Sequence, residues 1–418
     1  MSLHRRQFLR SSLAASSLVS MGGVTIPGFL AQSARAARGA AKSNDRILVV
    51  VQLVGGNDGL NTVVPHGIDG YVRNRRRLRL PTGQLHRVTD DISLHPSMGQ
   101  MAKLLEDGRL AIVQGVGYPN PDRSHFRSME IWETARTDSH PEALETGWLG
   151  RVLDADPPSP GSDSPALHVG GGRLPLALRA RRVEVPSMEQ IDQFRLQANG
   201  SSAEQDSTRS ALNEVAGVDR SDDPLLGFLR RSTLAAYEAS ARLEEVAAGQ
   251  GGETNYPNFN LARRLEQIAR IIKAGFGTRI YYTRQDGYDT HANQLATHAA
   301  LLNELADSLA AFHEDLAQDG QAGRVAVLVF SEFGRRVAEN ASNGTDHGAA
   351  APVFVVGPVA QVGLIGEHPS LDDLDEGDLK YQTDFRSLYA SLLDEWLGVP
   401  SAPIIGEGFA PVSLLSTS

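Results

Sequence analysis

The chain has 418 residues, 41% of them apolar, and not one cysteine. That is enough chain for one large domain or two ordinary ones, and it excludes disulfides, thiolate metal sites and cysteine nucleophiles. A formal net charge of −10 at neutral pH argues against a nucleic-acid partner and gives no reason to expect an anionic membrane surface.

The first 36 residues read as a targeting segment rather than part of the fold. HRRQFLR is followed by the small-residue, weakly apolar stretch SSLAASSLVSMGGVTIPGFLAQ, and Ala34-Arg35-Ala36 offers an A-x-A cleavage site. Paired arginines ahead of Phe8 and Leu9 resemble a twin-arginine export signal, with a Sec signal or an N-terminal anchor as the other reading. The many Ser and Gly residues disfavour a stable membrane span, which needs about 20 strongly apolar residues. Cleavage would remove four arginines and leave a net charge of about −14. The expectation is a protein of the periplasm or medium with no membrane span after processing.

Beyond residue 45 strand and helix patterns alternate. ILVVVQLVGG (47–56) is a continuous β-branched run, as a strand buried on both faces should be. HPSMGQMAKLLEDGR (95–109) has apolar residues at helical spacing and leads into LAIVQGVG (110–117), a second buried strand. SHFRSMEIWETA (124–135) reads as a helix with Phe126, Met129, Ile131 and Trp132 on its apolar side. Residues 157 to about 260 break the rhythm: turn-rich PPSPGSDSP, polar QANGSSAEQDSTRS and the connector AAGQGGETNYPNFN surround one strong helix, DPLLGFLRRSTLAAYEASARLEEVAA. This stretch is read as a helical insertion in a single domain spanning 45–418. TRIYYTRQDG (278–287) then precedes a long amphipathic helix from about His291 to Leu316. RVAVLVFSEFG (324–334) and PVFVVGP (352–358) supply two more core strands. TDFRSLYASLLDEWLG (383–398) is a last helix, with Thr383 or Asp384 as N-cap and Gly398 as C-cap. No internal repeat is visible. Strands alternating with helices imply an α/β fold, a mainly parallel sheet covered by helices on both faces.

In such a sheet ligands bind beyond the carboxyl ends of the strands, so the residues that follow each strand matter most. The first strand is followed by Asn57 and Asp58, the second by Ser124 and His125, the third by Asp289 and His291. The fourth is followed by Glu332 and then by Asp346 and His347 in the loop GTDHG. Each has a bland reading. Asp58 can form a turn, Asp289-Thr290 or Ser124 can cap a helix, and Glu332 can pair with Arg335. Gathered at one sheet edge, they suit a divalent ion of zinc or manganese type better than magnesium or calcium. Neighbouring strand ends leave room for one ion or two, the latter about 3.5–4 Å apart. Asp58, Asp289, His291, Glu332, Asp346 and His347 are the candidate ligands, with Ser124 as nucleophile and His125 beside it as the candidate catalytic pair. A helix starting near Ser124 would aim N–H groups at a phosphoryl or sulfuryl oxygen. His298, seven residues beyond His291 on one helical face, lies roughly 10 Å from it and is kept out of the ligand set.

The blocks GGNDGLNT, PNPDRSHFRSMEIW, GYDTHANQ, VFSEFGR, GTDHG and TDFRSLYASLLDEWLG resemble the signatures of the domain-of-unknown-function 1501 family, over roughly residues 45 to 400. That family is exported, commonly by twin-arginine signals, is often described as sulfatase-like, and is related more distantly to the alkaline phosphatase and sulfatase superfamily. The resemblance implies a central mixed, mainly parallel sheet between helices, and a two-metal site served by a Ser, Thr or formylglycine nucleophile at a helix start. By it, Asp58 stands for the first-strand metal carboxylate, Ser124 for the nucleophile, and Asp289 and His291 for an Asp-and-His metal pair. Glu332 stands for the carboxylate of a Ser-Asp-His-Gly block, and His347 for the late histidine ligand. Phe333 departs from the pattern, because it replaces that block's histidine and removes a ligand from one metal position.

Formylglycine also does not fit. There is no Cys, and Ser124-His125-Phe126-Arg127 is not a Ser-x-Pro/Ala-x-Arg sequence. Two functions are therefore carried forward. One is an exported metal-dependent hydrolase of small or polymeric phosphate or sulfate esters, phosphate preferred, using unmodified Ser124 or metal-bound water. The other is an exported binding or assembly factor that keeps the fold and recognises a protein partner.

Overall fold

The computed structural model describes residues 45–137, 145–157, 163–189 and 254–416, with strand fragments at 18–21, 24–27 and 197–198. Nine described strands share one sheet. In chain order they are β1 (Ile47–Val54), β2 (Leu110–Gly117), β3 (Ala166–Val169), β4 (Ser187–Met188) and β5 (Ile280–Asp286). β6 (Val325–Ser331), β7 (Ala351–Val356), β8 (Gly363–Ile365) and β9 (Thr383–Asp384) complete it. The order across the sheet is β8-β2-β7-β6-β1-β5-β3-β4, with β9 also paired to β2. β7 alone runs antiparallel to its neighbours, so the sheet is mixed and mainly parallel.

The helices that cover it are α1 (Gly99–Glu106), α2 (His125–Thr134), α3 (Trp148–Ala155), α4 (Asn260–Lys273), α5 (Gln294–Gln318) and α6 (Phe385–Ala390). The last continues as a π-helical stretch, Ser391–Leu397. Alternation along β1 divides the core. Val49, Val51 and Leu53 point to the face packed by Leu265, Ile268, Leu302 and Leu305 of α4 and α5. Leu48 and Val50 point to the other, where Trp132, Trp148, Tyr389 and Trp396 lie. Burial on both sides is what made the strand apolar on both faces, buried Gln52 apart, each apolar side chain contributing about 1.5–3 kcal/mol. Among the described residues no helix is long and apolar enough to cross a membrane.

The last helix follows expectation: Asp384 accepts a hydrogen bond from the Arg386 amide at 2.9 Å, and Gly398 ends the helix in the left-handed region at φ 69°. Two expectations need correction. The insertion does not begin at 157, because β3 and β4 extend the central sheet beside β5. A four-residue strand flanked by Pro and Gly has too little length to show a period. The strong helix expected at 223–248 lies outside the described residues, as does nearly all of the targeting segment. Second, α5 starts at Gln294, not His291. Asn293 sits in the left-handed region at φ 47°, and the amides of Asn293 and Gln294 bond the carbonyls of Ser342 and Asn343 at 3.0 and 2.9 Å. His291 therefore belongs to a loop.

The consequence for function is positional. β1, β2, β5 and β6 deliver their chains to one edge of the sheet, and antiparallel β7 starts from that same edge. All the residues singled out in the sequence follow or precede those ends.

Candidate metal centre

At that edge three imidazoles close on one carboxylate oxygen. Asp289 Oδ1 lies 3.1 Å from His291 Nε2, 3.3 Å from His347 Nε2 and 3.5 Å from His125 Nε2. The Nε2 atoms of His291 and His347 are 2.9 Å apart. His125, Asp289 and His347 present ligand atoms all within 4.8 Å of one another.

The outer nitrogens show which way each ring is turned. His125 Nδ1 lies 2.8 Å from Glu332 Oε1, His347 Nδ1 2.7 Å from the Arg123 carbonyl, and His291 Nδ1 3.4 Å from Asp346 Oδ1. Carboxylate and carbonyl oxygens only accept, so each Nδ1 carries a hydrogen, and a ring with no second hydrogen turns its Nε2 lone pair inward. The inward Nε2 of His125 is buried with no hydrogen-bond partner among the described residues. Lone pairs facing each other and a carboxylate repel unless a proton or a metal ion lies between them. The separations of 2.9–3.5 Å bracket the edge of a tetrahedron built on metal–nitrogen bonds of about 2.0–2.1 Å, which is roughly 3.3 Å. Imidazoles held from behind by oxygen acceptors are the usual setting of metal-ligating histidines. The residues present therefore fit one divalent ion: His125, Asp289 and His347 offer ligand atoms close to one another, and His291 adjoins Asp289 and His347.

Charge favours the same reading. Burial would raise the Asp289 carboxyl, but the hydrogen bond and charge of Arg335 hold it below the usual range. The hydrogen bond from Asn340, ahead of the contact with His291, lowers Asp346. Burial lowers His347, which favours its neutral form, whereas the hydrogen bond to Glu332 raises His125, so an ion there would take the place of a proton on its Nε2. Of the three carboxylates near the centre, Asp289 is the one paired with the Arg335 guanidinium, while Asp346 feels the charge of Arg336.

Glycines let the loops approach. A Cβ at Gly344 would lie 2.2 Å from the His291 carbonyl carbon, and one at Gly348 would lie 2.5 Å from that of Arg335. The glycine frame of GTDHG thus lets this loop lie against the backbone on both sides and deliver His347 into the centre, with Arg335 and His347 bridged as in a sheet.

Of the expected ligands, Asp289, His291 and His347 meet here. Glu332 and Asp346 stand one step behind, on the outer nitrogens of His125 and His291. Glu332 is fully buried, and its oxygens also accept from the Gly55 amide at 2.8 Å and the Ser331 hydroxyl at 3.1 Å. Asp58 is elsewhere: fully buried, it makes a two-pronged ion pair with Arg75 at 2.5 and 2.9 Å and accepts from Gln294. A carboxylate so occupied has no free edge for an ion. His125, expected to act in catalysis, turns its ring into the ligand cluster. Ser124 is exposed at the N-cap of α2 with no side-chain capping bond, its amide held by Asp122 at 2.7 Å. Phe126, expected to pack, is 79% exposed. His298 is buried and lies 2.9 Å from Asn57 Oδ1; it neither lines a cleft nor meets solvent. Phe333 is buried against the rings of His125 and His347, with centroids at 4.8 and 4.9 Å. It offers no ligand atom there. Sequence reasoning set His125 beside the nucleophile rather than first among the ligands, and missed Arg335 as the partner of Asp289. The available signal for His125 was its place in the first turn of a helix that follows a core strand.

The profile of the family described as "Protein of unknown function (DUF1501)" matches residues 45–396, and the chain belongs to that family. No functionally curated protein matches it significantly. Among solved structures it is similar to a protein in the alkaline phosphatase superfamily from Vibrio parahaemolyticus, at 9% identity, TM-score 0.41, and 90% and 76% coverage of the two chains. It is also similar to the PsFucS1 sulfatase from Pseudoalteromonas sp., at 12% identity, TM-score 0.38 and 88% and 70% coverage. A third is the C-terminal periplasmic domain of EcEptC from Escherichia coli in complex with Zn, at 9% identity, TM-score 0.37 and 90% and 93% coverage. At such identities and scores no residue role passes from these structures to this chain.

Proposed function

We propose that this protein is an exported hydrolase of phosphate or sulfate esters, phosphate preferred, working with one divalent ion held by His125, Asp289, His291 and His347. The observation that carries the reading is the set of inward Nε2 lone pairs around Asp289 Oδ1, each ring fixed from behind by an oxygen acceptor. When bound, the ion supplies Lewis acidity toward a phosphoryl or sulfuryl oxygen. The chain's own groups do the rest. Glu332 holds the His125 ring in one tautomer, the Arg123 carbonyl does so for His347, and Asp346 for His291. Phe333 closes one wall to water. Ser124, exposed next to His125 with its hydroxyl unused by the helix cap, is the candidate nucleophile, and the first amides of α2 favour an anionic group beside it. The segment HRRQFLR supports export by the twin-arginine route, which carries folded proteins.

The test is a screen of aryl phosphates and aryl sulfates with zinc or manganese added back to chelator-stripped protein. Hydrolysis should return with metal, be lost in His347→Ala and Asp289→Ala, and fall by several orders of magnitude in Ser124→Ala. Metal bound at one equivalent with no turnover in the whole screen would favour the second reading, a recognition factor for an exported protein. The 79% exposed Phe126 beside the centre is the feature that favours that alternative.

A further inference from the structure

The centre already contains a cation. The Arg335 side chain is fully buried, and its Nη2 lies 2.7 Å from the same Asp289 oxygen on which the imidazoles converge. The rest of the guanidinium is tied to backbone carbonyls: Nε to Gly56 at 2.7 Å, Nη1 to Thr345 at 2.9 Å, and Nη2 to Tyr288 at 3.0 Å and to Gly55. Those carbonyls belong to three separate segments, the turn after β1, the turn after β5 and the GTDHG loop. One side chain thus pins together the three loops that build the site, and its charge cannot leave. On its other side Gly56 packs against the Phe333 ring, so a hydrocarbon wall adjoins this fixed charge.

Resting on the metal-centre reading above, we infer that Arg335 is the resident second cation of the site. It is a positioning residue that limits the centre to one divalent ion and weakens that ion's hold by sharing Asp289 with it. Two positive charges on one carboxylate oxygen repel at short range, and although Asp289 is 49% exposed, the Arg335 side of the pair is wholly out of water, so screening acts from the outer side alone. A guanidinium saturated by carbonyls cannot turn away to relieve that repulsion. Asp289 is then a bridging carboxylate between a permanent cation and an exchangeable one. The charge a second ion would bring is supplied by the chain itself.

The experiment counts metal rather than turnover. Chelator-stripped full-length protein is dialysed against buffered Zn²⁺, and separately Mn²⁺. Bound metal is measured by plasma mass spectrometry and affinity by competition with a chromophoric chelator. The wild type should saturate at one ion per chain. Arg335→Gln, which removes the charge, should bind at least about tenfold more tightly or accept a second ion. Arg335→Lys, which keeps the charge, should stay at one. A purely structural arginine predicts the opposite sign, weaker binding in Arg335→Gln. Two ions in the wild type, a second ion in Arg335→Lys, or weaker binding in a folded Arg335→Gln overturns the inference and leaves the centre standing. If Arg335→Gln does not fold, the wild-type count and Arg335→Lys decide. A folded wild type that binds neither metal removes the centre and, with it, both this inference and the hydrolase reading.

Discussion

Asp58→Asn separates two roles that the sequence could not tell apart, metal ligand and buried counter-ion. The substitution keeps the shape of the side chain and removes its charge. In the structure Asp58 and Arg75 are both without solvent contact and joined by two bonds of 2.5 and 2.9 Å. Arg75 also donates to the carbonyls of Val337 and Arg336 at 2.7 and 2.9 Å. Neutralising Asp58 leaves that guanidinium buried with only dipoles for company, a loss of about 3–5 kcal/mol for a broken buried pair. With an unfolding entropy of about 2.1 cal/mol/K per residue over the roughly 300 described residues, the melting temperature should fall by about 5–8 °C. Metal content per folded chain should not change.

The pH dependence has a definite sign. Burial alone would raise the Asp58 carboxyl, but the Arg75 charge and hydrogen bond hold it below its ordinary value. A group lowered in the fold stabilises fully above its unfolded value of about 3.9 and loses that contribution as pH falls through the lower folded value. The deficit of Asp58→Asn against wild type should therefore be flat above about pH 5 and shrink below about pH 4. The assays are thermal melts across pH and metal analysis of the same samples. A variant that melts like wild type but has lost its metal would refute the reasoning and return Asp58 to the ligand set.

Other substitutions probe the centre and its support. His125→Ala should lower metal affinity by at least about a hundredfold, and Glu332→Gln by about ten- to a hundredfold, because it frees the tautomer of His125 while leaving the ligand in place; chelator competition reads both. Gly344→Ala should weaken metal binding although it touches no ligand atom, since its methyl would lie 2.2 Å from the His291 backbone; equal affinity in a folded variant would count against the loop packing. Burial lowers His298 to about 4, so its neutral form stabilises the fold above pH ~6.5 and that contribution, up to about 3 kcal/mol, is lost as pH falls toward 4. His298→Gln should flatten this part of the stability profile, measured by denaturant melts between pH 4 and 7.

Much of the architecture could be read from the chain itself. β1 and β2 are apolar runs broken only by the buried Gln52 and Gln114 because both faces of the sheet are covered, and the last helix carries its own cap and stop in Asp384 and Gly398. Those signals are local, so they survive in one dimension. The residue types at the strand ends were legible for the same reason: in a mainly parallel sheet the functional groups must follow strands, and Asp289, His291 and His347 do meet where that rule puts them.

What only the folded chain decided is which oxygen faces which nitrogen. Asp58 and Asp289 both stand just beyond strand ends, in glycine-containing turns. One is claimed by Arg75, from a helix-end residue 17 positions away, and the other by Arg335 from the opposite side of the sheet order. Glu332 and His125, 207 residues apart, stand otherwise than expected, the acid behind and the imidazole in front, because the first turn of α2 brings His125 Nδ1 to within 2.8 Å of Glu332 Oε1 just beyond β6. Local pattern specifies a backbone and the chemical kinds of its side chains. Pairing of buried charges depends on distances across the sheet, and no periodicity along the chain encodes them.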